Sequence, residues 1–188
     1  MRMRLLRWTV VLLVIVGGLA FVARGANGPA DPTLAPAPAG GQASVNRTPF
    51  GDFGEIAFRV EGGSGADVAA RASALRCALL ADTSARQEVG LMNRTDLGGY
   101  DGMVFRFSTD TNVAFYMKDT PLPLSIAFFD ANGQYVSGTD MAPCIHQTSC
   151  PVYPAARPYR LALEVAQGAM PRLGIGPDTR LITTGPCP

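Results

Sequence analysis

Histidine is nearly absent from this chain: His146 is the only one among 188 residues. It sits in "CIHQTSC", which offers three ligating side chains where a structural zinc site takes four. A single histidine with no nucleophile elbow also argues against a Ser–His or Cys–His triad. Clustered basic residues are missing beyond residue 24. Arg2, Arg4, Arg7 and Arg24 contribute four of the positive charges behind a formal net charge of +1, so the remainder carries −3. That balance gives no electrostatic footprint for nucleic acid. A phosphate-binding glycine loop is also lacking: "GGSGAD" has neither the lysine nor the strand-to-helix context. Internal repeats are absent.

Long hydrophobic runs are scarce too. The longest, Trp8 to Ala23, has 16 residues and follows three arginines. That length lies between a signal-peptide core and a full membrane span, and the preceding arginines favour the cytoplasmic side. Residues 1–24 are therefore expected to be an N-terminal signal-anchor or a cleaved signal peptide. Either way the following residues lie outside the cytoplasm, membrane-anchored or secreted. Residues 25–49 are built of Ala, Pro, Gly and small polar residues without apolar period, and read as a disordered linker. Residues 50–188 form the expected globular domain.

The cysteine count fits an oxidising compartment. Four cysteines allow three pairings. Cys144 and Cys150 share a short loop, which leaves Cys77 to bridge Cys187 and hold the C-terminal tail; both disulfides are expected.

Within the domain, "GEIAFRVEG" alternates apolar and polar residues and "SALRCALLAD" is a more apolar strand. "DTSARQEVG" reads as a helix with Asp82, Thr83 or Ser84 at its N-cap and an end near Gly90. "GMVFRF" and "VAFYM" are expected to be two short strands separated by the polar turn "STDTN", with Val113, Phe115 and Met117 on the buried face. "LSIAFFD" and "QYVSG" form a hairpin through Asn132-Gly133. "PYRLALEVAQG" puts Arg160, Ala162 and Glu164 on one face and Leu161, Leu163 and Val165 on the other. "TRLITTG" is the last strand. Mostly hairpin-length connections imply antiparallel pairing. The expected fold class is α+β: a mainly antiparallel, strongly curved sheet or partly closed β-barrel, with one short helix packed over an end.

Several ordered segments carry a family resemblance: "LADTSARQEVGLMNRTDLGGYDGMVFRF", "AFYMKDTPLPLSIAFFDANGQYV", "CPVYPAARPYRLALEVAQG" and "LGIGPDTRL". In order they hold a Gly-Leu-Met followed by Arg, a Gly-Met opening a strand, a Met-Lys-x-Thr, a Pro-Leu before a strand, and a Leu-Glu before a glycine. Through these the chain resembles the domain of unknown function 192 (DUF192) family over about Leu75 to Thr183. The resemblance implies a small, mainly antiparallel β-barrel-like domain and says little about activity. Three positions depart from the family pattern: Asp119 stands where Asn is usual, Tyr116 where Trp is usual, and Ser125 where Asp is common.

The candidate ligand-binding residues are Lys118, Thr120, Arg86, Arg94 and Glu164, polar groups at the ends of strands and helix within those segments. They would take a small polar ligand, an envelope glycan or an envelope protein partner. Competing structural roles are plain: Lys118 pairing with Glu164 or Asp119, Thr120 bonding its own turn, Arg94 lying on the surface. Glu164 and Asp119 are the one carboxylate pair that could serve an envelope hydrolase as general acid and base. Met92, Met103 and Met117 read as core filling rather than soft-metal ligands. The expectation is a non-enzymatic binding module without cofactor, with the hydrolase and a purely structural accessory as alternatives.

Overall fold

The computed structural model describes residues 46–63 and 74–188. The expected anchor or signal at 1–24 and all but the last residues of the expected linker lie outside the described residues. Among the described residues no helix is long and apolar enough to cross a membrane.

Among the described residues nine strands and one short α-helix follow in order: β1 Gly54–Gly62, β2 Arg76–Ala81, α1 Ser84–Val89, β3 Gly102–Thr111, β4 Phe115–Tyr116, β5 Leu124–Phe129, β6 Tyr135–Met141, β7 Val152–Tyr153, β8 Tyr159–Ala166 and β9 Thr179–Thr183. A 3-10 turn, Pro171–Leu173, precedes β9. Seven strands form one sheet in the order β6-β5-β8-β3-β2-β1-β9, while β4 and β7 pair separately. The sheet is strongly curled into a half-barrel. Its two edges approach where Gln134 bridges Arg180 and the Leu181 amide donates to the Gly133 carbonyl at 2.8 Å. Gly133 has φ 77°, and a Cβ there would strike the Leu181 carbonyl, so the Asn132-Gly133 turn requires glycine.

Pairing departs from expectation in one place. β2 and β3 run parallel, with Ala78 opposite Gly102 and Ala81 opposite Phe105. The reason is the intervening α1 segment, a crossover long enough to return the chain to the same end of the sheet. The other main-sheet pairings are antiparallel.

Three more expectations are corrected. β3 does not stop at "GMVFRF" but continues through Thr111, its outer half mostly exposed. The predicted strand "VAFYM" shrinks to Phe115–Tyr116, because its only partner is the two-residue β7. Val113 is consequently 57% exposed rather than buried, whereas Met117 is 1% exposed. The helix, too, is smaller than a cap over a barrel end. It has six residues and none of them is buried. Its one large apolar side chain, Val89, is half exposed. The expected ends are right: Thr83 accepts a hydrogen bond from the Arg86 amide at 3.3 Å, and Gly90 closes the helix.

Alternation along each strand divides the apolar residues into two clusters on opposite faces of the sheet. The first contains Leu79, Met103, Phe105, Leu124, Ile126, Phe128, Tyr159 and Ala162, with both disulfides. The second contains Phe58, Val60, Val104, Phe129, Leu161, Leu163 and Val165. Both expected bridges are present, Cys77–Cys187 with Cα atoms 5.4 Å apart and Cys144–Cys150 at 5.9 Å.

Candidate functional site

The site begins with the alternation of β8. Leu161, Leu163 and Val165 fill one face, so Ala162 and Glu164 must point to the other. Glu164 lies opposite Met103 on β3 and Ile126 on β5, in the middle of the sheet. The approach of β3 is close: a Cβ at Gly102 would collide with the Glu164 carbonyl oxygen, which explains the glycine that opens this strand. Glu164 is 4% exposed. Its carboxyl makes no hydrogen bond or ion pair among the described residues. Burial alone pushes its pKa up to about 8, since removing the carboxylate from water disfavours the charged form.

What the carboxyl faces is a cleft of about 250 Å³. Phe105, Leu124 and Thr120 surround its inner part, Leu91 and Met92 the segment after α1, and Phe115 and Tyr116 the loop opposite. Val89, Val113 and Tyr116, three of the large apolar side chains most exposed to solvent, also belong to the lining. Phe115 is held edge-on to Phe105 with ring centroids 4.9 Å apart, and to Phe128 at 5.7 Å. Tyr159 anchors the same loop by donating its hydroxyl to the Val113 carbonyl at 2.7 Å. Among the described residues, the only acid in the lining besides Glu164 is the exposed Glu88 of α1, and no Lys, Arg or His lines the cleft.

The candidate residues thus divide. Glu164 and Thr120 line the cleft, and Lys118, Arg86 and Arg94 do not. Thr120 is buried, and its hydroxyl donates to the Lys118 carbonyl at 3.1 Å within its own turn. Lys118 is exposed and bridges Cys144 through its backbone, so its ammonium does not reach Glu164. Arg86 pairs with Asp82 at 2.7 Å, and Arg106 shares the same carboxylate at 3.1 Å. The guanidinium of Arg94 stacks over Phe50, 4.1 Å from the ring centroid. Asp119 is also outside the lining. It has φ 51°, the left-handed conformation that Asp and Asn tolerate best among residues with side chains, and its backbone is bonded on both sides. Its role is that of a turn residue. Ser125 lies on the face away from the cleft, between Leu124 and Ile126. It donates to Asp140 at 2.5 Å and accepts from the Gly168 amide at 2.9 Å. The departure from the family pattern at 125 therefore does not alter the cleft. His146 is exposed in the Cys144–Cys150 loop.

Sequence reasoning missed the apolar lining, Val89, Val113, Phe115 and Tyr116, and the rim carboxylate of Glu88. The available signal was three large apolar side chains flanking polar segments with no strand long enough to bury them.

These features define a small, disulfide-bridged β domain with an aromatic-walled cleft ending in a buried carboxyl group. The chain belongs to the DUF192 family, described as uncharacterized ACR, whose profile matches residues 67–183. Among solved structures it is similar to a Sinorhizobium meliloti 1021 protein described as a proposed transcription regulator. That protein is 26% identical with a TM-score of 0.59, over 70% of this chain and 95% of that one. It is also similar to a protein of unknown function from Novosphingobium aromaticivorans DSM 12444. There the identity is 26% and the TM-score 0.59, over 77% of this chain and 99% of that one. No curated protein matches. The segments that carry the family resemblance meet at the cleft: Gly90, Leu91 and Met92, then Thr120, Leu124 and Glu164.

Proposed function

We propose that this domain is a binding module, held outside the cytoplasm by its N-terminal segment, whose cleft takes one small ligand with an apolar body and one polar group. The observation that carries the reading is Glu164: buried, without a partner among the described residues, and facing a cleft of about 250 Å³. A carboxyl group in that position costs stability unless something meets it. Aromatic and aliphatic walls with few polar groups are the usual composition of a small-molecule site. The geometry shifts the expected ligand from a mainly polar molecule or a glycan to a mainly apolar one, because the three cationic candidates point elsewhere. Two disulfides and the basic-then-apolar N-terminus support the extracytoplasmic placement.

The hydrolase alternative loses its proposed partner, since Asp119 serves a turn outside the cleft. The transcription-regulator description of the Sinorhizobium meliloti protein finds no support in the charge of this chain, which is −3 after Arg24.

A thermal-shift screen of small aromatic and aliphatic compounds tests the reading, using wild type and an Ala114→Trp variant that fills the cleft mouth. Compounds that raise the wild-type midpoint by several degrees and leave the variant unmoved support it. An equal response in both proteins would place binding elsewhere.

A further inference from the structure

We propose that the ligand is a protonated amine on an aromatic or aliphatic body, its ammonium group seated against the Glu164 carboxylate. This deepens the binding reading and rests on the cleft being a ligand site. Four observations converge. First, the charged groups of the lining are all acids, Glu164 within and Glu88 at the rim. Such a lining offers an anion no cationic partner and leaves a cation without competition. Second, Glu164 is 4% exposed and no cation among the described residues neutralises it. A buried carboxyl without a partner is the half of an ion pair that a ligand can complete. Third, Phe105, Phe107, Phe115 and Tyr116 surround the space, and aromatic faces attract ammonium groups. Fourth, Val89 and Val113 stay exposed at the lining, where an apolar body would cover them.

A neutral hydrogen-bonding ligand satisfies the third and fourth observations less specifically and makes no use of the first. A carboxylate ligand is opposed by the first two.

The groups facing Glu164 decide its charge state in the complex. Its strand neighbours are Met103 on β3 and Ile126 on β5, neither of which titrates. Across the cleft, Glu88 on α1 and Tyr116 on β4 are the other titratable groups. None of these is a cation, so the ligand itself must supply the positive charge. The balance is simple: the neutral carboxyl group gives its O–H proton to the buffer and becomes the carboxylate. The amine enters already protonated, and one ion pair forms for each proton released.

The test is a panel of primary amines with aryl and alkyl bodies, each matched to the alcohol and the carboxylate of the same body. 2-Phenylethylamine, 2-phenylethanol and 3-phenylpropanoate form one such triple. Affinities are measured by isothermal titration calorimetry at pH 7 in two buffers of different ionisation enthalpy. The expected result is at least one amine bound tenfold or more tighter than its alcohol, with close to one proton released. Its carboxylate counterpart shows no binding at the same concentration. Glu164→Gln should remove the preference for amine over alcohol and bring the two to similar affinity. If alcohols bind wild type as tightly as amines, or carboxylates bind best, the cation is wrong and the cleft stands as a binding site. Amine affinities that Glu164→Gln leaves unchanged would remove Glu164 as the contact. If nothing of any charge binds, the binding reading fails together with this one.

Discussion

The two faces of the curled sheet are built from the same strands yet do different work. On one face, Phe58, Val104, Phe129, Leu163 and Val165 close on one another without a disulfide or a buried acid. The other face shares its space among aromatic rings, a cleft and the Glu164 carboxyl, and both disulfides lie in its cluster. A cleft removes packing partners, and an unpaired carboxyl adds a desolvation cost. Cross-links restrict the unfolded chain and so offset losses of that kind without adding any packing. The comparison teaches that the face which carries the cleft is the one held by covalent links, while the apolar cluster of the opposite face contains no cross-link.

The largest expected effect comes from cutting those links. Replacing Cys77 and Cys187 by serine opens a loop with a sequence separation of 110. The chain-entropy estimate is a loss of about 5 kcal/mol, against about 2 kcal/mol for the shorter Cys144–Cys150 loop. Urea unfolding of the two double variants measures the gap, and equal losses would break the account of the bridged face. Next is the packed face: Leu163→Ala, at a fully buried position, should cost about 4 kcal/mol by the same measurement. A cost below about 1 kcal/mol would mean that face is not closed.

A smaller effect, about 3 kcal/mol between about pH 4.5 and about pH 7, should follow pH on the cleft face. The folded pKa of Glu164 lies above its ordinary value, so between about 4.5 and about 8 the native state binds more protons than the unfolded chain. The contribution of Glu164 is therefore full below about 4.5, falls as pH rises, and levels off above about 8. Glu164→Gln should flatten that decline, and an unchanged slope would place its origin in other groups. Smallest are changes in the turn beside the cleft. Asp119→Ala should cost about 1 kcal/mol through its left-handed backbone, and Lys118→Ala less than about 0.5 kcal/mol. A loss of several kcal/mol at Lys118, read by thermal unfolding, would mean it holds a partner.

Much of this division could be read from local pattern. The period of two in "YRLALEV" separates Glu164 from Leu163, the Asn-Gly pair marks its hairpin, and four cysteines in a chain with a basic-then-apolar N-terminus point to two bridges. Other features depend on distant partners. The order β5-β8-β3 places a late strand between two earlier ones, and nothing within a strand states which neighbours it will have. Val113 was expected in the core because it alternates with Phe115 and Met117. The partner of that segment has two residues, so the alternation ends half-exposed. Lys118 looked like a site residue because it follows an apolar run. The left-handed Asp119 and the backbone bridge to Cys144 put its side chain outside the cleft lining.

The most direct test of the account is the titration of the Glu164 carboxyl carbon by NMR, in selectively labelled protein without ligand. The account predicts a midpoint near 8, the signature of a carboxyl group removed from water by burial. A midpoint at or below the ordinary glutamate value would show that the group is solvated or paired, and would contradict the central claim.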